Sequence, residues 1–257
     1  MKLRLAFFLV ITSILFGCSD SNTKSDKNEE TSFAQEIVDK SIAFHGMKNL
    51  DNSDFSLSFR KMQYTYNLHG GVFEYTRTQT DSIGRTILDI LKNEGLIRII
   101  NNDTVELEEE RRAAFSRSVN SVIYFFRLPF GLNDPAVKKT YQGETEIEGK
   151  SYHEVRVTFE QEGGGEDYDD VFLYWFDKED YSMDYLAYLY HTDGGGLRFR
   201  KGINPRRVGG VLIQDYINYK PDDESIDINT INELFSSNEL TELSRIINED
   251  VVINQSK

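Results

Sequence analysis

The sequence predicts an α+β protein, a large curved antiparallel β-sheet (half-barrel) with helices covering the concave side. Segments with alternating apolar residues recur about every ten residues and are joined by tight turns, which is typical of an antiparallel meander. Helical spacing occurs in few places. Two strands are apolar at nearly every position, so both of their faces need cover, whereas an antiparallel sheet usually leaves one face in water.

The first element is a helix over residues 33–45. Ser32 and Gln35 form a capping-box pattern, apolar residues follow at helical spacing, and Gly46 ends the segment. Alternation then predicts the first group of strands. These strands cover residues 55–59, 62–66, 72–80, 85–91 and 96–100.

A helix over residues 108–126 interrupts the meander. Its apolar residues fall on one stripe, which predicts a helix lying on the sheet. The stripe consists of Phe115, Val119, Val122, Ile123 and Phe126. Pro129 ends this helix, because proline cannot continue the hydrogen-bonded ladder.

Strands resume after the middle helix, again separated by glycine-containing turns. They cover residues 144–147, 152–160, 171–177, 183–191, 197–200 and 208–219. Leucine and isoleucine at roughly helical spacing predict a helical tail over residues 229–247.

The strands at 171–177 and 183–191 suggest a ligand groove. Their aromatic residues Tyr174, Trp175, Tyr185 and Tyr188 are expected to line it beneath the 113–126 helix. The chain contains 17 Phe, 14 Tyr and 1 Trp, enough to line such a concavity. A plain packed core explains the same residues, and the sequence leaves the two readings open.

Composition excludes several classes of protein. The 257 residues include 29 Lys+Arg and 43 Asp+Glu, a formal net charge of −14, which argues against a nucleic acid partner. The hydrophobic fraction of 39% is ordinary for a globular chain. A single cysteine excludes a disulfide framework and a zinc site with several thiolates.

The amino-terminal sequence predicts that the protein is located in the cell envelope. A short basic start is followed by an apolar stretch that is too short to span a bilayer but has the length of a signal-peptide core. The stretch ends in Gly17 and Cys18, the only cysteine. The arrangement resembles a bacterial lipobox, which implies removal of residues 1–17 and acylation of Cys18 by palmitate-like chains. An ordinary secretory signal with an incidental thiol is the alternative.

The predicted organisation has three parts: a signal peptide (1–17), a flexible polar tether with lipidated Cys18 (18–31) and a single domain (32–257). Ser19, rather than aspartate, follows the thiol. This favours the outer membrane, with the periplasmic or external face undecided.

Several segments resemble known families. They are Leu128-Pro129-Phe130, the glycines at 163–165, Tyr174-Trp175-Phe176-Asp177, Tyr185-Leu186-Ala187-Tyr188, Gly195 to Arg200 and Asn204 to Gly210. With the lipobox and the early helix, they resemble a Bacteroidota-type lipoprotein family of unknown function and the LolA/LolB-like lipoprotein-carrier superfamily. The resemblance implies a half-barrel of the shape that holds acyl chains in the carriers. It implies no catalytic residue.

No metal site, cofactor or catalytic group is predicted. The four histidines lack metal-ligand spacing, and His153 shares the apolar side of its strand, which favours a core position. The acids at 166–170 lack an EF-hand pattern and are typical of a solvated turn. Nucleotide-binding and hydrolase-elbow motifs are absent from the sequence.

One basic island stands out in this acidic chain: Arg198, Arg200, Arg206 and Arg207, with Lys201 among them. It could bind lipid phosphate or an acidic glycan, or simply pair with nearby acids.

The favoured hypothesis is a non-enzymatic, envelope-anchored lipoprotein that binds a hydrophobic small molecule or acyl chain. The alternatives are an envelope scaffold with a glycan or protein partner and, less favoured, a hydrolase acting through carboxylates.

Overall fold

The architecture was determined from a computed structural model that describes residues 21–46, 50, 53–69, 71–163, 168–223 and 225–255. It confirms the α+β half-barrel. The helices are α1 (Ser21–His45), α2 (Glu109–Phe126) and α3 (Ile231–Ser236). The strands are β1 (Ser53–Phe59), β2 (Met62–His69), β3 (Val72–Thr80), β4 (Thr86–Lys92), β5 (Gly95–Ile100), β6 (Asp103–Val105), β7 (Val137–Ile147), β8 (Lys150–Phe159), β9 (Val171–Asp177), β10 (Met183–Tyr190), β11 (Gly196–Val208), β12 (Val211–Pro221), β13 (Leu240–Ile246) and β14 (Glu249–Gln255).

The strands form two sheets rather than the single large sheet that was predicted. The first sheet has the order β14-β1-β2-β3-β4-β5-β6, and the second has the order β13-β12-β11-β10-β9-β8-β7. All pairings are antiparallel, mostly between strands consecutive in sequence. The break arises because β13 pairs with β12 whereas β14 crosses to pair with β1.

A buried carboxylate holds the turn that links the sheets. Asp215 on β12 is 3% exposed and accepts a hydrogen bond of 2.9 Å from the backbone N–H of Asn248, between β13 and β14. Arg206 Nη1 lies 3.2 Å from the same carboxylate oxygen. Because the turn leads from the edge of one sheet to the edge of the other, these contacts fix where the two sheets meet.

Helices α1 and α2 cover the concave side, as predicted. Both contribute to one large core cluster with β1, β2, β9 and β12. From α1, Ala34, Ile37 and Val38 are at most 1% exposed. The helix ends at Gly46, whose backbone has a φ of +71° and lies so close to the Gly210 carbonyl that a Cβ would collide with it. Only glycine satisfies both conditions.

Helix α1 begins earlier than predicted. Residues 21–31, expected to belong to a flexible tether, are helical, and Ser32 lies inside the helix instead of capping it. Gln35 donates to Asp39 Oδ1 at 3.0 Å and to Asn133 Oδ1 at 2.8 Å instead of reaching back to a cap. The segment contains no glycine or proline, so a helix nucleated by the packed residues can propagate towards its amino terminus.

The predicted helical tail at 229–247 is wrong. Helix α3 ends at Ser236, and Asn238 adopts a φ of +59°. The chain then pairs with β12 as strand β13, and β14 follows. The helical spacing of leucines was misleading because Leu243 and Ile247 are exposed rather than packed on a core.

Helix α3 packs on the other face of the second sheet. A second core cluster lies there, with Leu173, Trp175 and Phe199 against Ile231 and, partly buried, Phe235. The ring of Phe235 stacks on Phe199 with centroids 4.6 Å apart. The second sheet is therefore covered on both faces, as the apolar runs in β9 and β10 require.

His45 should make folding stability depend on pH. It is 2% exposed at the end of α1, and burial lowers its pKa to about 4, although its Nδ1 contacts the Ser41 carbonyl oxygen at 2.8 Å. The unfolded chain binds a proton at this site below about pH 6.5, where the native state does not. As the pH is lowered from 6.5 to 4, we therefore expect the free energy of unfolding to decrease by up to ~1.4 kcal/mol per pH unit.

Urea titrations of the wild type and of His45→Asn across this pH range test the expectation. The variant should show a flatter dependence, because the titrating ring is gone. Equal slopes for the two proteins would show that His45 does not titrate in this way.

A candidate ligand-binding cavity

A cavity of about 160 Å³ lies where the carboxyl-terminal half of α2 meets the second sheet. One side is formed by α2 and by the β1–β2 hairpin, and the other by β11, β12, β13 and the turn after β13. The lining residues are Phe59, Arg60, Ser121, Val122, Phe125, Phe126, Arg200, Tyr216, Asn218, Ser244, Ile246 and Asn248. The lining therefore combines aromatic and aliphatic groups with two arginines and contains no carboxylate.

Helix α2 is positioned by its apolar stripe. Val119 and Ile123 are fully buried and Phe126 is 7% exposed. The Phe126 ring packs on Phe55 of β1, with centroids 4.7 Å apart. Two acids in the first turn, Glu109 and Glu110, suit the positive end of the helix dipole.

A buried charge cluster lies under the amino-terminal half of α2. Arg77 on β3, Asp89 on β4 and Arg98 on β5 are opposed in register across three strands. Asp89 is fully buried and accepts hydrogen bonds of 2.6–3.0 Å from both guanidinium groups. The two arginines in turn contact α2. Arg77 donates to Ser118 Oγ at 2.7 Å, and the Arg98 guanidinium lies 3.5 Å from the centroid of the Phe115 ring.

Most of the space under α2 is filled by the protein's own side chains. Of the predicted groove residues, Val119, Ile123 and Tyr174 are fully buried in the core. The Tyr174 hydroxyl lies 3.0 Å from that of Tyr124 on α2, and burial raises the pKa of Tyr174 well above its ordinary value. The ring of Phe115 packs against the guanidinium groups of Arg77 and Arg98. The packed-core alternative therefore holds for this part of the predicted groove.

Trp175 and Tyr185 require a correction. They lie in the cluster on the opposite face of the second sheet, because neighbouring residues of a strand point to opposite sides. Trp175 Nε1 donates to Glu154 at 3.0 Å, and the Tyr185 hydroxyl donates to Glu148 at 2.7 Å. Neither can line a groove on the concave side.

Val122 and Phe126 do line the cavity, and Tyr188 lies next to it. The Tyr188 hydroxyl accepts a hydrogen bond of 2.8 Å from Arg200 Nη2. Its ring packs against Phe125, with centroids 5.1 Å apart. Tyr188 thus positions two of the lining residues.

Arg200 and Asn218 form the polar end of the cavity. They are direct cross-strand neighbours on β11 and β12, and each is 7% exposed. Arg200 Nε and Asn218 Oδ1 have no hydrogen-bond partner. Among the described residues, no carboxylate pairs with Arg200, whose guanidinium lies 3.7 Å from the centroid of the Phe125 ring. Buried polar atoms without partners are uncommon and mark places where a ligand or water can bind.

The predicted basic island is dispersed by the fold. Arg206 pairs with Asp215, and Arg207 Nη2 donates to the Phe44 carbonyl at the end of α1 at 2.8 Å. Arg198 donates to the Tyr190 hydroxyl at 2.9 Å. Of the four arginines, Arg200 is the one that the structure places in the cavity.

Of the twelve lining residues, the sequence predicted only Val122 and Phe126 as groove residues and Arg200 as part of the basic island. Phe59, Phe125, Tyr216 and Ile246 come from four separate elements, and no spacing in the sequence brings them together. The sequence offers a weak indication that Asn218 belongs to a site, because it is a polar residue in strand β12, whose other residues are mostly apolar.

The structure places His191 next to the acidic turn at 166–170, a contact that the sequence did not predict. Asp169, Asp170 and His191 offer ligand atoms within 4.8 Å of one another, although Asp169 and His191 are exposed. Acids 166 and 167 of the predicted cluster lie outside the described residues. His153 is 7% exposed, which confirms its core position.

Fold and cavity together define a class: an open half-barrel of antiparallel strands with helices on its concave side and a partly apolar cavity beside one helix. The particular family is shown by the sequence. Residues 4–248 match the model of DUF6503, a family of unknown function, and the chain belongs to that family. No protein of curated function matches the sequence.

The chain is similar to solved structures at low sequence identity. A DUF1329 family protein from Desulfovibrio piger is similar with a TM-score of 0.50 at 10% identity, over 85% of this chain and 92% of that one. A LolA superfamily protein from Nitrosomonas europaea is similar with a TM-score of 0.47 at 13% identity, over 87% of this chain and 94% of that one. At such identities the first likeness shows the fold alone. None of the described helices is long and apolar enough to cross a membrane.

The buried charge cluster under α2 should be essential for stability. Replacing Asp89 with Ala leaves two buried guanidinium groups without their counter-charge, which typically costs about 3–5 kcal/mol. We expect a large fall in the free energy of unfolding measured by urea titration.

Glu74→Ala is the matched control. Glu74 pairs with Lys92 at 2.6 Å on the same two strands, but both side chains are about 40% exposed, so water screens the pair. Its loss should change stability far less. Similar effects from the two substitutions would show that the buried cluster has no special role.

Proposed function

We propose that this protein is an envelope-anchored lipoprotein that binds a hydrophobic or lipidic ligand, without catalysis. The observation that carries the binding part is the cavity beside α2, with apolar walls and an unpaired polar end. Ligand sites in proteins are typically concave, mostly apolar and equipped with a few polar groups that orient the ligand.

The volume of the cavity limits what it holds in this conformation. An apolar cavity of ~150 Å³ accommodates one benzene molecule. The cavity of about 160 Å³ therefore takes the head and first carbons of an amphiphile rather than a whole long chain. A longer chain extends beyond it or displaces the rings of Phe125 and Phe126.

The resemblance to LolA/LolB-like lipoprotein carriers favours the same function. It leaves the direction of transport and the identity of the ligand open. A scaffold with a glycan or protein partner would instead use an outer face, so the cavity would have no effect on its activity.

The envelope address rests on Cys18, which lies outside the described residues. Several acyl chains on this thiol would anchor the protein firmly, since each buried methylene contributes ~0.8 kcal/mol. The outer membrane is the proposed location.

Filling the cavity should abolish binding. Val122 lines the cavity from α2, so Val122→Phe places a ring where the ligand would lie. We expect binding of 1-octanol, followed by calorimetry or by ligand-observed NMR, to weaken at least tenfold.

The control is Asn120→Phe, which adds the same ring to an exposed position of the same helix. It should bind 1-octanol as the wild type does. Failure of 1-octanol to bind the wild type, or equal binding by all three proteins, would refute the cavity as the site.

Cys18→Ala tests the anchor separately. Without the thiol no acyl chain can be attached, so the variant should be a soluble or unprocessed product that lacks the acyl mass on intact-protein mass spectrometry. A variant that is still acylated would show that Cys18 is not the lipidated residue.

A further inference from the structure

We propose that Arg200 and Asn218 select ligands whose polar head carries an anionic oxygen next to a hydrogen-bond donor, as in an N-acyl amino acid. The inference rests on the proposed function, because it concerns the polar end of the same cavity.

The charge of the cavity favours an anion. The chain as a whole carries a net charge of −14, yet the lining contains Arg60 and Arg200 and no acid. Arg60 is exposed at the β1–β2 turn, whereas Arg200 is buried. A buried cation without a counter-charge is costly, and an anionic ligand would lower that cost.

Arg200 differs from the two buried arginines of the charge cluster under α2. Arg77 and Arg98 are as deeply buried, but both are neutralised by Asp89. Arg200 is held in place by the Tyr188 hydroxyl and by the faces of the Phe125 and Tyr188 rings. Its geometry is thus set by neutral groups, and its charge is left for a ligand.

Two atoms without hydrogen-bond partners indicate which hydrogen-bonding groups the head of the ligand should carry. Arg200 Nε–H is a donor and Asn218 Oδ1 is an acceptor. Both atoms lack partners, and both residues line the cavity. A carboxylate oxygen would accept from Arg200, and an adjacent N–H or O–H of the ligand would donate to Asn218. A simple fatty acid would satisfy the first atom and leave the second unpaired.

Three probes of equal chain length separate these requirements: 1-octanol, octanoate and N-pentanoylglycine, whose amide N–H lies close to its carboxylate. We expect octanoate to bind at least tenfold more tightly than 1-octanol, since a charge-assisted hydrogen bond contributes that much. N-pentanoylglycine should gain about another threefold to tenfold through Asn218. Calorimetry with the purified wild-type chain measures all three affinities.

Two variants test whether Arg200 and Asn218 cause the preference for an anionic head. Arg200→Met should bind octanoate and 1-octanol with similar affinity, because the charge and the Nε–H are removed. Since a buried substitution can disturb folding, Asn218→Asp provides an independent test. It keeps the shape of the side chain and places a carboxylate beside Arg200, so octanoate should lose its tenfold advantage over 1-octanol.

Arg198→Met is the matched control. Arg198 lies on the same strand two positions away and also bonds a tyrosine hydroxyl, but it does not line the cavity. It should leave all three affinities unchanged.

The outcomes distinguish the two proposals. If the wild type binds 1-octanol and octanoate equally, or if Asn218→Asp changes nothing, the headgroup selection is refuted while the binding function stands. If the wild type binds none of the probes, the proposed function fails, and the headgroup selection fails with it.

Discussion

Burial of strands β9 and β10 on both faces is the constraint on which this structure depends. On one side Phe172, Tyr174 and Leu186 pack against the helices and the first sheet. On the other side Leu173 and Trp175 pack against α3. An antiparallel sheet covered on both sides needs additional layers, and here they come from chain segments far apart in sequence. The half-barrel is the arrangement that brings these layers onto the second sheet.

The packing of α2 on the concave side determines where the cavity lies. Over the first sheet, α2 is held by the arginines paired with Asp89 and by Phe126 on Phe55. Towards the second sheet, Tyr124 and Tyr174 bring the helix into direct contact with β9. Close packing under this part of α2 leaves little room, so the cavity lies beyond it, where the end of the helix meets β11–β13.

The buried arginines Arg77 and Arg98 differ from Arg200 in the groups that surround them. Under the first half of α2, one carboxylate neutralises two guanidinium groups, and the result is a structural cluster. Beside the second half, Arg200 is buried to a similar degree with aromatic rings and a hydroxyl around it. Low local polarity strengthens any interaction that this charge makes with a ligand. The same residue type thus neutralises a buried acid in one sheet and is the residue that we propose for ligand recognition in the other.

Most strands, the middle helix and the need to cover both sides of β9 and β10 could be read from the sequence, because alternation and helical spacing report which residues of one element are buried. Assignment of individual residues to the cavity could not. On β11, Leu197 and Phe199 alternate with Arg198 and Arg200, a pattern that predicts an arginine side facing water. Only the tertiary structure places the end of α2 over Arg200. Alternation puts Trp175 and Tyr185 on one face of their strands and Tyr174 and Tyr188 on the other, but only the tertiary structure decides which of these faces is concave. Periodicity determines the faces of an element, whereas the neighbour that covers each face is decided by contacts between distant parts of the chain.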